Sequence, residues 1–269
     1  MEIERLRTDA AALLADGRAK MVIGFRTRGQ ARVPAFVTDP EQTADLVYDA
    51  ACRLNLAAYL RKTELLRFRP VAVVARPAVM RSLTILAAEA QLAAADVLVL
   101  AVDDDAYHGV LDLPGTVALL KEKYADLPHD AEVLKQIEAI AAMTPDERAA
   151  FWTEQFAKCT RCYACRAACP MCYCQRCIVE KNVPQWISTA ARGHGNYAWN
   201  VIRAFHLAGR CTECGACEAA CPQGIPLMLL NIALACNVDD AFGTAAGYDL
   251  EAKPVIGSWS PDDNEDFIR

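Results

Sequence analysis

The stretch VAVVARPAVMRSLTILAAEAQLAAADVLVLAVDDD, Val71 to Asp105, holds two apolar runs with a helical pattern between them. VAVVAR (Val71–Arg76) is a continuous apolar run, the signature of a strand buried on both faces of a parallel sheet. VMRSLTILAAEAQL (Val79–Leu92) repeats its apolar residues at helical spacing, and DVLVLAVDDD (Asp96–Asp105) reads as a second strand that ends in a loop. Strand, helix and strand in this order form a βαβ unit with a right-handed crossover. Working outward, KMVIGFR (Lys20–Arg26) and VPAFVT (Val33–Thr38) read as strands joined through a glycine-containing turn. Thr38-Asp39-Pro40 is a helix start with Asp39 as cap, and the spacing predicts a helix through EQTADLVYDAACRLNLAAYL (Glu41–Leu60). Residues 1–128 are therefore expected to form an α/β domain with a partly parallel sheet.

The pattern then changes. AEVLKQIEAIAAM (Ala131–Met143) is helical, and Thr144-Pro145-Asp146-Glu147 opens another helix that delivers the chain to KCTRCYACRAACPMCYCQRC (Lys158–Cys177). Further helices are expected over Asn196–Ala208, ended by Gly209, and near Leu227–Ala235. The segment 251–269 carries proline, serine and acidic residues without periodicity, and reads as a disordered or partner-docking tail.

Eleven of the 13 cysteines fall between Cys159 and Cys221. Small secreted domains spread their disulfides along the chain, so this crowding argues for metal. Cys159-x2-Cys162-x2-Cys165-x3-Cys169-Pro170 recurs as Cys211-x2-Cys214-x2-Cys217-x3-Cys221-Pro222. That is the bacterial ferredoxin run, in which three cysteines wrap one cubane and the fourth reaches the other. The spacing assigns Cys159, Cys162, Cys165 and Cys221 to one [4Fe–4S] cluster, and Cys211, Cys214, Cys217 and Cys169 to a second. Zinc ribbons, which pair C-x2-C with a distant second pair, do not share this pattern. Residues 129–250 are thus expected to be a helical, loop-rich dicluster domain.

Cys172, Cys174 and Cys177 remain over. They are either structural cysteines beside a cluster or three ligands of a further site holding zinc or a third iron–sulfur cluster. The fourth ligand would come from Cys52, Cys236, His194 or His206, with Cys52 first in line because its use would tie the two domains together. Trp186, Tyr197 and Trp199, between the two motifs, are expected to pack between helices.

Composition sets the outer limits. The chain is 54% apolar and 23% charged, with a net charge of −6, which disfavours a phosphate-binding surface and hence nucleic acid. Its beginning carries charges throughout, and no apolar run is long enough to span a bilayer. The expectation is a soluble, cytoplasmic protein. No G-x-G-x-x-G follows a strand, and no serine–histidine–acid order is present. Asp103, Asp104, Asp105 and His108 read as a solvated loop, with a divalent-ion site as the sharper alternative.

Taken together, VAVVARPAVMRSLTILAAEAQLAAADVLVLAVDDD, CTRCYACRAACPMCYCQRC and RCTECGACEAACPQGIPL resemble the beta-subunit family of deazaflavin-dependent hydrogenases and dehydrogenases. This family includes iron–sulfur relatives in hydrogenase, formate dehydrogenase and heterodisulfide reductase-type complexes. The resemblance implies an electron-transferring subunit with other redox subunits as partners. Some members bind a flavin, FAD or FMN, and act on a deazaflavin or nicotinamide. In this chain Arg76 and Arg81, at the C-terminal end of a parallel strand, would meet its anion.

Overall fold

The computed structural model describes residues 2–125, 127 and 129–256. Most of the expected tail, from residue 257 on, lies outside the described residues. The first half is an α/β layer around a five-stranded sheet of order β2-β1-β3-β4-β5. Its strands are β1 (Met21–Arg28), β2 (Ala31–Val37), β3 (Val71–Ala75), β4 (Val97–Val102) and β5 (Tyr107–Leu111). The three central strands run parallel, and β2 and β5 close the two edges antiparallel. All five residues of β3 are buried, as the unbroken apolar run requires.

Helix α1 (Ile3–Ala15) packs on β1 and β5 through Leu6, Ala10 and Leu13. Helix α2 (Pro77–Ala88) is the crossover between β3 and β4. It lies against α3 (Leu113–Lys123), which Asp112 caps by accepting the Gly115 amide at 2.8 Å.

The single long helix expected over Glu41–Leu60 does not form. A 3-10 turn covers Pro40–Asp45, capped by Asp39 as expected, and a second covers Leu56–Tyr59. Between them Val47 pairs with Phe25 of β1, while Asp49 and Asn55 accept the amides of Ala51 and Ala57. These short side chains satisfy the backbone locally and compete with the helix. The apolar residues of the pattern, Leu46, Leu56, Ala57 and Leu60, are still buried, but by turns.

The second half is largely helical. It contains α4 (Ala131–Ala141), α5 (Pro145–Ala157), α6 (Ala164–Ala168), α7 (Gly193–Leu207), α8 (Ala216–Ala219) and α9 (Leu227–Phe242). Thr144 and Glu147 form the capping box that starts α5. Helix α5 packs on α7, α4 on α9, and the two one-turn helices α6 and α8 on each other. Among the described residues no helix is long and apolar enough to cross a membrane.

Candidate metal centre

The two cysteine runs adopt one backbone shape. In each, the residue after the first Cys-x pair is left-handed, Arg161 at φ 56° and Glu213 at φ 57°. Two positions on, the chain is left-handed again, at Tyr163 (61°) and Gly215 (72°). In each run the first of these turns aims its amide at the first cysteine, Arg161 N–H to Cys159 Sγ and Glu213 N–H to Cys211 Sγ, both at 3.4 Å. Left-handed backbone is costly for any residue with a Cβ, so three such residues mark loops held to a purpose.

Each loop then enters a one-turn helix, α6 or α8. The packing of α6 on α8 brings the end of one run to the start of the other. The result is two separate cavities of closely similar size. One, about 330 Å³, is lined by Cys159, Cys162, Cys165 and Cys221. The other, about 320 Å³, is lined by Cys211, Cys214, Cys217 and Cys169. The fourth cysteine of each run therefore borders the cavity of the other. Asn200 of α7 lines the first cavity and Asn231 of α9 the second, where its Nδ2–H reaches Cys217 Sγ at 3.5 Å. Among the described residues no three His, Cys, Asp or Glu side chains converge as a single metal ion needs. A multinuclear cluster needs less convergence, because each thiolate meets a different iron.

Burial governs the electrostatics of these thiols. Burial pushes the Cys165 and Cys211 thiols up, and Cys217 to about 11. Cys169 is also raised, first by the hydrogen bond it shares with Cys172, and that bond lowers Cys172. Among these thiols sits Arg203 of α7, 5% exposed. One arm donates to the Cys165 carbonyl at 3.2 Å, and its Nε has no partner. Burial opposes its charge, but Cys172, Cys217, Cys169 and Cys165 together raise it above the ordinary arginine value. A buried cation set among cysteines calls for negative charge at those sulfurs.

Sequence reading did not single out Arg203, Asn200 or Asn231. A signal was there: Trp199, Arg203 and Leu207 fall on one helical face, so a charge stands in an apolar stripe. The aromatics expected to pack together divide. Trp199 is buried, edge-on to Tyr163 at 4.9 Å, whereas Tyr197 is 44% and Trp186 66% exposed. Trp186 lies in the irregular segment before α7, where its amide donates to the side chain of Asn182.

Arg76 and Arg81 are engaged at the joint between the two halves. Arg76 donates to the carbonyls of Arg53 and Cys214 at 3.2 and 3.1 Å. Arg81 is 8% exposed, donates to the Ala246 carbonyl at 2.8 Å, lies over the Tyr248 ring and stands 4.0 Å from Glu213. Both guanidinium groups reach protein acceptors, although the buried Arg76 Nε has none among the described residues. Asp103 organises the loop after β4, accepting from His108 and Tyr124 and from the Asp105 and Ala106 amides.

Cys172, Cys174 and Cys177 line one chamber, and of the four candidate fourth ligands His206 lines it too. Cys52 is elsewhere, buried in the α/β core against Asp49 and Val47. His194 is in the first turn of α7 and Cys236 on α9.

Residues 155–225 match the family described as 4Fe-4S dicluster domain. The chain is 32% identical over 106 residues to the F420-dependent formate dehydrogenase subunit beta of Methanocaldococcus jannaschii. It is 31% identical over 110 residues to the F420-dependent formate dehydrogenase 1 subunit beta of Methanococcus maripaludis. It is 29% identical over 120 residues to the acetyl-CoA decarbonylase/synthase complex subunit alpha 1 of Methanosarcina acetivorans. These matches cover 39%, 41% and 43% of the chain, but 27%, 28% and 13% of the relatives. They support iron–sulfur cofactors and a general electron-transfer role.

Proposed function

We propose that the chain is an electron-relay subunit of an oxidoreductase complex, with two [4Fe–4S] clusters held by crossed cysteine sets. Cys159, Cys162, Cys165 and Cys221 hold one, and Cys211, Cys214, Cys217 and Cys169 the other. The observation that carries the reading is the pair of matched cavities, each lined by one set. Bound clusters would supply one-electron chemistry. The chain's own part is to exclude water from the sulfurs, to direct the Arg161, Glu213 and Asn231 N–H groups at them, and to keep Arg203 between the two sets. A relay of this kind takes other redox subunits as its partners. A flavin-containing subunit that oxidises or reduces a deazaflavin or nicotinamide and passes electrons to its clusters is the second reading, which the family resemblance implies. The protein engagement of Arg76 and Arg81 favours the relay.

The test is a set of cysteine-to-serine variants made and purified without oxygen, compared by electron paramagnetic resonance. Cys221→Ser should perturb the same signal as Cys165→Ser, and Cys169→Ser the same as Cys217→Ser. If Cys221→Ser instead resembles Cys217→Ser, the crossed assignment is wrong. Wild-type protein with well under about eight iron per chain would sink the dicluster reading itself.

A further inference from the structure

Three cysteines of the 158–177 run lie outside the two cluster sets. Cys172, Cys174 and Cys177 border a broad chamber, open to solvent and larger than either cluster cavity. It adjoins both. Trp199 is a wall shared with the first cluster cavity, and Met171 and Leu207 are walls shared with the second. We propose that this chamber is a third iron–sulfur site, with Cys172, Cys174 and Cys177 as thiolate ligands and His206 as the fourth. The proposal rests on the dicluster reading, because it takes the same buried arginine as evidence of cluster charge.

Four observations carry it. The first is the donor set. Three thiols and an imidazole border one space, although His206 lies some thirty positions beyond the cysteines in the chain. The second is Arg203, which lines this chamber as well as facing the cluster cysteines. It is at least nine-tenths buried, and its Nε is unpartnered among the described residues. An arginine held that way needs an anionic neighbour. The third is the rest of the wall. Arg166 and Arg210 also border the chamber, and their carboxylate partners, Glu180 and Glu89, balance them one for one. Arg203 and Arg176 are left without such a partner among the described residues, and of the two only Arg203 is buried. The fourth observation decides between one ion and a cluster. The chamber exceeds either cluster cavity in room, and its lining supplies three thiols and an imidazole, the four donors a four-iron cluster takes. The two cluster cavities show the same spread of thiols around an open space.

Position adds a consequence. The Cys172 amide donates to the carbonyl of Cys169, a member of the second set, at 3.2 Å, so the third site abuts that cluster directly. The exposed lip formed by Cys174, Arg176 and Ile178 opens the chamber to the outside. The third site is thus the natural point of electron entry or exit.

Iron, acid-labile sulfide and zinc are counted per full-length chain on protein made and purified without oxygen. About twelve iron and twelve sulfide are expected, with no zinc. About eight of each, with or without one zinc, overturns the third site and leaves the dicluster reading intact. Fewer than eight overturns both. Cys174→Ser should lose about a third of the iron while the signals tied to Cys165 and Cys217 persist; unchanged iron in the folded variant overturns the ligand assignment. His206→Ala should abolish a nitrogen hyperfine coupling in the spectrum of the reduced protein. Absence of that coupling from the wild type removes His206 from the site.

Discussion

A buried guanidinium among sulfurs acts on potential. Adding an electron makes a cluster more negative, so a nearby fixed cation stabilises the reduced form. Arg203→Met should therefore move the midpoint potentials of both clusters in the negative direction, with Arg203→Lys in between, as followed by redox titration under electron paramagnetic resonance. Two clusters at unchanged potentials would show that Arg203 only fills space. A different residue reports on acid stability. Burial would raise the Asp103 carboxyl, but hydrogen bonds from Tyr124, His108 and two amides overcome it and hold the carboxyl well below its usual range. A carboxyl depressed in the folded state stabilises the protein fully above its unfolded value of about 3.9, and loses that contribution as pH falls toward the folded value. Asp103→Ala should cost about 2 kcal/mol at neutral pH and flatten the fall in stability below about pH 5, as read from urea unfolding. Equal acid sensitivity in variant and wild type would refute the assignment.

The cysteine loops show which elements a sequence can declare. Their spacing sorts the thiols into two crossed sets of four, and each cavity is bordered by one set. The shape of the loops could not be read, because Arg161, Tyr163 and Glu213 have no left-handed preference; only Gly215 hints at it. Nothing lies within 4 Å of a Cβ built on Gly215, so a substitution there meets backbone strain alone. Gly215→Ala should cost about 1 kcal/mol, and Gly215→Asn less, by thermal unfolding with clusters intact. A neutral Gly215→Ala would mean the loop has another conformation. Strands β1 to β4 were legible because apolar runs and turn residues agree there. The Glu41–Leu60 segment was not, since its helical spacing is matched equally by turns that bury Leu46 and Leu56. Helix α1 carried a readable i, i+4, i+7 stripe under its charges. Strand β5 is short and half-exposed, and neither period stands out. His206 was on the sequence's own roster of candidates, but only packing could prefer it over Cys52.

At the scale of the whole molecule, the sheet and the cluster module share a joint centred on α2. Ser82 of α2 links Asn55 to Thr212, at 2.9 Å on each side, in a buried chain of hydrogen bonds from the α/β half to the second cysteine run. Arg76 holds the Cys214 carbonyl, and Glu89, just past α2, makes a two-pronged pair with Arg210 beside Cys211. Tyr173, next to Cys172, donates to the same carboxylate at 2.9 Å. The joint thus touches both the second cluster loop and the extra cysteines, so unfolding of one half should expose the metal of the other. Glu89 is the place to test this, because its carboxylate has two partners and little solvent. Removing it leaves the largely buried Arg210 without its anion, an arrangement that costs about 3 kcal/mol. Glu89→Ala should lower the stability of the whole chain by about that amount. Loss of far-ultraviolet circular dichroism and loss of the iron–sulfur absorption should remain a single transition in wild type and separate in the variant, with the clusters bleaching first. If the two signals already separate in the wild type, the halves unfold independently and the joint is only a contact. If they stay coincident in the variant, Ser82 and Arg76 carry the coupling without Glu89.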